Sequence, residues 1–223
     1  MEHSVEILGI EDVTHNVRSY RLQRPAGYGF TPGQATEMSL DEDGWRDNKH
    51  PFTFTALTDD PELEFTIKSY FDTGGAGVTE RLYGYRPGQR LLIRDVWGTI
   101  TYKGPGVFIA GGAGVTPFIA ILRDLHHRRQ LDGHTLIVSN RTEADIILRE
   151  EFEAMRGLDI VWTVTDDPQS SLPHERIDAK FLKSRIRDFA QNFYLCGPDP
   201  MVKQLRGTLK DLGADVENVT WEK

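Results

Sequence analysis

Beyond residue 103 the chain reads as strand and helix in alternation, and this pattern restricts the fold more than any other feature of the sequence. Val107-Phe108-Ile109-Ala110 is a short apolar run that leads through a glycine turn into 117–128, where Phe118, Ile121, Leu122 and Leu125 form one helical stripe. The period then repeats. Strands are expected at 136–139, 160–165, 193–196 and 216–221, and helices at 143–155 capped by Thr142, at 179–189 capped by Asp178, and at 200–212. Strands separated by helices need crossover connections, so they run parallel, and right-handed crossovers cover the sheet with helices. A doubly wound α/β unit is therefore expected over residues 104–223.

The first part of the chain has a different texture. Extended runs at 4–10, 17–23, 35–40, 52–57, 63–70 and 90–94 are separated by Pro32-Gly33, Asp43-Gly44, Asp59-Asp60-Pro61 and Pro87-Gly88, with one short helix at 78–84. Closely spaced strands with such punctuation favour an antiparallel barrel or sandwich. The expectation is a two-domain protein, with a β-barrel over residues 1–103 ahead of the α/β unit.

Composition removes several function classes. The 34 acids against 26 bases leave a formal net charge of −8, opposite to the footprint of a protein that grips a phosphate backbone, so nucleic acid is not expected as a partner. The longest apolar stretches, such as 106–110, are far shorter than the roughly 18 to 20 residues that span a bilayer, so no membrane span is expected. The first residues, Met1-Glu2-His3-Ser4-Val5-Glu6, lack a basic region, apolar core and cleavage site, which points to the cytoplasm. Cys196 is the only cysteine, so the chain alone builds no internal disulfide, cysteine-held zinc site or iron–sulfur cluster. No metal site is expected.

Four segments carry candidate chemistry. Gly111-Gly112-Ala113-Gly114-Val115-Thr116-Pro117 joins a strand to a helix; its glycines allow close backbone approach, and the amides of the helix start favour an anionic diphosphate. A tight turn would look the same in isolation, but the flanking strand and helix favour dinucleotide binding. Leu195-Cys196-Gly197-Pro198 ends a later strand, which would bring Cys196 to the same crevice as Gly112 and Thr116, although a lone cysteine is also a small buried hydrophobe. His50-Pro51-Phe52-Thr53-Phe54-Thr55 sets an aromatic beside a hydroxyl on a strand, which an ordinary barrel strand also does. Gly74-Gly75-Ala76-Gly77-Val78-Thr79 is either a second anion nest or a surface hairpin loop.

Together these segments, with Phe30-Thr31-Pro32-Gly33-Gln34 ahead of them, resemble the ferredoxin-NADP reductase superfamily over essentially the whole chain and in the same order. His50-Pro51-Phe52-Thr53 is similar to the family's Arg-x-Tyr-Ser flavin motif, Gly74-Gly75 to Thr79 to its flavin phosphate loop, Gly111 to Pro117 to its nicotinamide-nucleotide loop, and Cys196-Gly197-Pro198 to its terminal-strand motif. The resemblance implies that the barrel holds flavin, FAD rather than FMN, and that the α/β unit takes NAD(P)H. It implies that Phe52 lies against the flavin ring, that Thr53 hydrogen-bonds near the reactive edge, and that Gly74, Gly75 and Thr79 hold phosphate. Gly112, Gly114 and Thr116 would hold the pyridine nucleotide, with Cys196 beside the nicotinamide. Thr53 and Cys196 are thus the catalytic candidates; Pro51, Ile67, Lys68, Tyr70, Val78, Pro117, Gly197 and Pro198 complete the expected cofactor-binding set.

Two positions depart from the family pattern. Its arginine is replaced by His50, mostly neutral at pH 7, so phosphate binding would borrow from Lys68 or Arg81; its tyrosine is replaced by Phe52, which keeps the stacking face. The implied activity is hydride transfer from NAD(P)H to bound FAD, with electrons passing to ferredoxin, flavodoxin or another separate redox protein, since no fused iron–sulfur or haem segment is expected. Rival readings are a reductase that treats flavin as a diffusible substrate, and a flavin-bound electron-transfer or regulatory subunit. Where NAD-selective dinucleotide folds place an acid at the end of the second strand, this chain has Ser139-Asn140-Arg141-Thr142, which suits a 2′-phosphate and favours NADPH unless Arg141 is paired with Glu143 or Asp145.

Overall fold

The computed structural model describes residues 1–71, 74, 77–98 and 100–221. Six antiparallel strands make the first sheet: β1 (His3–Thr14), β2 (Val17–Gln23), β3 (Gln34–Leu40), β4 (His50–Thr53), β5 (Glu62–Lys68) and β6 (Arg90–Gly98), in the order β4-β3-β6-β1-β2-β5. The chain just past β4 folds back on β5, where the Thr55 amide donates to the Glu64 carbonyl at 2.8 Å, so the two edges of the sheet meet and it is barrel-like. Period-two alternation sends Val5, Ile7, Tyr20, Leu22, Phe65, Leu91 and Ile93 to one buried core. Helix α1 (Val78–Tyr83) follows β5 and covers that core with Val78 and Leu82.

The second sheet is wholly parallel: β7 (Gly106–Gly111), β8 (His134–Asn140), β9 (Leu158–Val164), β10 (Asn192–Cys196) and β11 (Val219–Trp221), in the order β11-β10-β7-β8-β9. Both its faces are buried. Phe108, Ala110, Leu136, Val138 and Tyr194 pack beneath α2 (Thr116–His127) and α3 (Arg149–Glu153), whereas Val107, Ile109, Ile137, Phe193 and Leu195 pack beneath α4 (Ala179–Arg185) and α5 (Asp199–Asp211). Val17 and Ile100 belong to the α2 side of this core, so the two sheets share apolar packing at their junction. Among the described residues no helix is long and apolar enough to cross a membrane.

Several expected elements come out shorter, among them the strand expected at 52–57, which is β4 (His50–Thr53) and ends where the chain turns away to bond Glu64 through the Thr55 amide. The helix expected at 143–155 is two pieces: a 3-10 turn at Glu143–Asp145, locked by reciprocal hydrogen bonds between Thr142 and Asp145, and α3, with Leu148 in the left-handed region (φ 52°) between them. Burial of Ile146 and Ile147 in the core draws the chain out of helix there, so tertiary packing overrides local propensity. Helix α4 stops at Arg185 because Ile186 turns extended to reach the core, and the strand expected at 216–221 begins with a 3-10 turn at Val216–Asn218. In the other direction, β1 and β6 run well past their expected ends.

Candidate functional site

Strand β7 delivers Gly111 to the carboxyl edge of the parallel sheet, level with Ser139 of β8, while Ala110 is level with Cys196 of β10. Residues Gly112–Val115 form a single 3-10 turn into α2, where Pro117 occupies the first helical turn and the Thr116 hydroxyl donates to the Ala113 carbonyl at 3.0 Å. Gly112 has φ +52°, and a side chain there would meet no protein atom within 4 Å. Gly114 is different: an added Cβ would sit 2.5 Å from the carbonyl carbon of Cys196 and 2.6 Å from the nitrogen of Gly197. The loop after β7 and the loop after β10 are therefore pressed together, and only a missing side chain permits it.

These loops line a cleft of about 400 Å³ with Gly111, Ala113, Gly114, Cys196, Gly197 and Pro198, and the opposite wall is Tyr70 from the barrel sheet's side, 51% exposed. Cys196 lines it while being only 4% exposed. A wider groove of about 680 Å³ runs past Pro32, Leu57, Asp59 and the far end of α2 at Asp124 and Arg128; it contains none of the expected residues and lies away from the strand ends.

At the end of β8, Ser139 is half-buried and Asn140 is 4% exposed, with both polar atoms of its side chain buried and without a hydrogen-bond partner among the described residues. Arg141 donates to Asp166 at 2.8 Å with both groups largely exposed, so its partner is neither Glu143, which pairs with Arg149, nor Asp145.

On the barrel side, β4 places Thr53 opposite Ala35 and Phe52 opposite Thr36. Thr53 is 7% exposed, yet its hydroxyl makes no hydrogen bond among the described residues; Phe52 is half-buried. Pro51 and His50 are exposed, and His50 Nε2 lies 3.0 Å from Asn48 Oδ1. The side chains of Ile67 and Val78 belong to the barrel core, which leaves only their backbone for a ligand. Lys68 Nζ lies 4.0 Å from Asp145 Oδ1, reaching across to the other sheet's side. Gly74 is an exposed turn residue with φ +65°, Gly75 lies outside the described residues, and the Thr79 carbonyl accepts from the Ser69 hydroxyl at 2.9 Å. Arg81 is already paired with Glu42, whose carboxyl is held below its usual range first by that hydrogen bond.

Sequence reasoning missed one cluster. Arg123 of α2 forks onto Glu151 of α3 at 2.6 and 2.9 Å and donates across the junction to Glu64 Oε1 at 2.6 Å and the Thr55 carbonyl at 2.7 Å. Nothing in the sequence marks it, since an arginine beside an apolar stripe is ordinary.

The donor set fits a dinucleotide and a flavin in part. A glycine turn with open space at Gly112, an orphaned buried amide at Asn140 and an unpartnered hydroxyl at Thr53 are groups that a polar ligand would satisfy, whereas the basic groups near α1 already hold carboxylates. A barrel-like sheet joined to a doubly wound sheet, with a glycine-lined crevice where they meet, is the architecture of flavin- and pyridine-nucleotide-dependent reductases. Residues 108–207 match the family described as Oxidoreductase NAD-binding domain. The reductase component of propane 2-monooxygenase from Rhodococcus jostii (strain RHA1) is 27% identical over 96% of this chain and 61% of its own length; NADH-cytochrome b5 reductase 1 of Pyricularia oryzae is 27% identical over 90% and 71%. The fold superposes on a ferredoxin NADP+ reductase from Neisseria gonorrhoeae with bound FAD and NADP at TM-score 0.86, with 20% identity, covering 99% of this chain and 98% of that one. The chain spans about three fifths of the propane 2-monooxygenase reductase. Over nearly its whole length the chain is thus similar to flavoprotein reductases of this kind, and its fold is that of the ferredoxin NADP+ reductase.

Proposed function

We propose that this chain takes hydride from NAD(P)H onto flavin and passes the electrons to a separate redox protein. Residues 1–103 would hold the flavin and 104–223 the nucleotide. The observation that carries this reading is the cleft itself, in which Tyr70 faces the Gly111–Gly114 and Cys196–Pro198 loops. When both are bound, the chemistry supplied is transfer of hydride from nicotinamide C4 to flavin N5, the C4–H bond breaking with both its electrons as the N5–H bond forms. The chain's own residues bind and orient. The backbone of Gly112 to Thr116 meets the diphosphate, Asn140 satisfies its amide on the nucleotide, Thr53 offers its hydroxyl to the reactive edge, Phe52 supports the ring, and Cys196 closes the crevice against water.

The acceptor is a ferredoxin, a flavodoxin or the oxygenase component of a multicomponent system; the relative in the naphthalene 1,2-dioxygenase system, a ferredoxin reductase, favours the first, and the reductase component of propane 2-monooxygenase favours the last. NADPH is favoured over NADH because the Arg141–Asp166 pair is exposed and screened by solvent, so a 2′-phosphate can displace the carboxylate. Anaerobic addition of NADH or NADPH to the purified flavin-loaded protein tests the reading: bleaching of the flavin band supports it, and no bleaching with either nucleotide overturns it. A second reading, in which flavin is a diffusible substrate, draws support from the engagement of His50 with Asn48 and of Arg81 with Glu42, which leaves few charges for flavin phosphate. A protein that purifies colourless yet reduces added flavin would establish it.

A further inference from the structure

Helix α2 starts at the glycine turn, and the chain that leaves β4 at Thr53 reaches Thr55 two residues on. One guanidinium ties these two elements together. Arg123 lies seven residues into α2, about 10 Å from the turn at 1.5 Å per residue, and its Nη1 is shared between the Thr55 carbonyl at 2.7 Å and Glu64 Oε1 at 2.6 Å. Thr55 itself donates from its hydroxyl to the same Glu64 oxygen at 2.7 Å, and Thr66 donates to the Thr55 hydroxyl at 3.3 Å. On its other edge Arg123 grips Glu151 of α3 with both Nε and Nη2. Burial opposes the guanidinium's charge, but Glu151 and Glu64 outweigh it and hold Arg123 firmly protonated.

From this geometry we infer that Arg123 is a positioning residue, which fixes the nucleotide loop in register with the flavin-supporting strand. The inference rests on the reading of the cleft given above. Apolar packing already joins the two halves through Val17 and Ile100, and buried ionic groups rarely hold surfaces together better than apolar ones of the same volume. What a planar fork bonded to four oxygens of three residues adds is direction: it allows one offset of α2 against the Thr53–Thr55 segment, where apolar side chains would tolerate several. Hydride transfer is steep in that offset, since a misplacement of about 1 Å can cost on the order of 100-fold in rate.

The test uses Arg123→Lys, which keeps the charge and loses the fork, and Glu64→Gln, which keeps the grip on Glu151 and loosens the barrel side. Flavin reduction by NAD(P)H is followed anaerobically in stopped flow, with the deuterium isotope effect from 4-deuterated nucleotide, the nicotinamide–flavin charge-transfer absorbance, nucleotide Kd by calorimetry, and melting temperature. The expected result is a reduction rate down roughly 10- to 100-fold, a weakened charge-transfer band and a more fully expressed isotope effect, with nucleotide Kd and flavin content within about twofold of the parent. A rate that falls only in proportion to the folded, flavin-loaded fraction overturns the inference, as does unfolding of both variants, because either leaves Arg123 a stability residue. Failure of the parent protein to bleach would instead sink the reading of the cleft.

Discussion

Placing a methyl group at Gly114 tests the close approach on which the crevice depends. The Cβ of Gly114→Ala would sit 2.5 Å from the Cys196 carbonyl carbon and 2.6 Å from Gly197 nitrogen, roughly 0.9 and 0.8 Å inside ordinary contact, and both are backbone atoms that cannot rotate away. The loops after β7 and β10 must separate by most of that distance. Overpacking of this kind costs about 1 to 3 kcal/mol, and in a chain of this size each kcal/mol lowers the melting temperature by about 2 to 4 °C. Calorimetric melting should therefore show a drop of roughly 2 to 12 °C, together with weaker nucleotide binding as the turn shifts. Gly112→Ala is the control: its Cβ meets no protein atom, so only the left-handed backbone at φ +52° opposes it, at about 1 to 2 kcal/mol. A Gly114→Ala protein that melts within about 1 °C of the parent and binds nucleotide equally well would refute the reasoning, because the two loops would then not be held in contact.

Three further outcomes follow from individual side chains. Asn140→Leu removes an amide whose two polar atoms have no partner, a burden of about 1 to 3 kcal/mol, so it should leave the melting temperature unchanged or raised while weakening nucleotide binding; a lowered melting temperature would show that the amide is satisfied in solution. Cys196→Ser should preserve folding and flavin content but slow flavin reduction by NAD(P)H, and an unchanged rate would remove Cys196 from the reacting region. Burial, followed by the Glu42 carboxylate, pushes the Tyr85 phenol up to about 12. The folded state thus prefers the neutral phenol, so its stability contribution is complete below the ordinary phenol value near 10 and is lost as pH rises through about 12. Melting curves from pH 9 to 12 should fall less steeply for Tyr85→Phe than for the parent, and parallel curves would contradict the assignment.

How much of this was legible in the sequence depends on the range of the interaction that decided it. The parallel sheet was readable because both of its faces are buried: Val107 to Ala110 and Phe193 to Cys196 are unbroken apolar runs bounded by turns, and the helix after each shows its own stripe. The break in the helix expected at 143–155 was not readable, because Ile146 and Ile147 suit either conformation and only the core they enter makes them extended. The lengths of β1 and β6 were also obscured, since their outer ends alternate into solvent and carry charged residues such as Glu11, Asp12 and Asp95.

The site divides along the same line. Glycines mark a turn because a positive φ or a close approach admits little else, and so Gly112, Gly114 and Gly197 stood out as turn residues, although only the ordered set of motifs pointed to a ligand. Charged residues do not, because their meaning lies in a partner that the local pattern does not name. Lys68 and Arg81 looked like available phosphate ligands, yet one lies near Asp145 and the other holds Glu42, 77 and 39 positions away along the chain. Arg141, expected to suit a 2′-phosphate, has a carboxylate partner, and that partner is Asp166 in the loop after β9 rather than the Glu143 or Asp145 of the alternative reading. Arg123 is the extreme case: its partners Thr55, Glu64 and Glu151 come from both halves of the molecule, and the cluster exists only once the barrel-like sheet and the parallel sheet have docked. A residue whose role is to hold two folded units in register carries no signature in either unit alone, and for that reason the junction between the sheets, more than the glycine loops, is where the structure adds to what the sequence discloses.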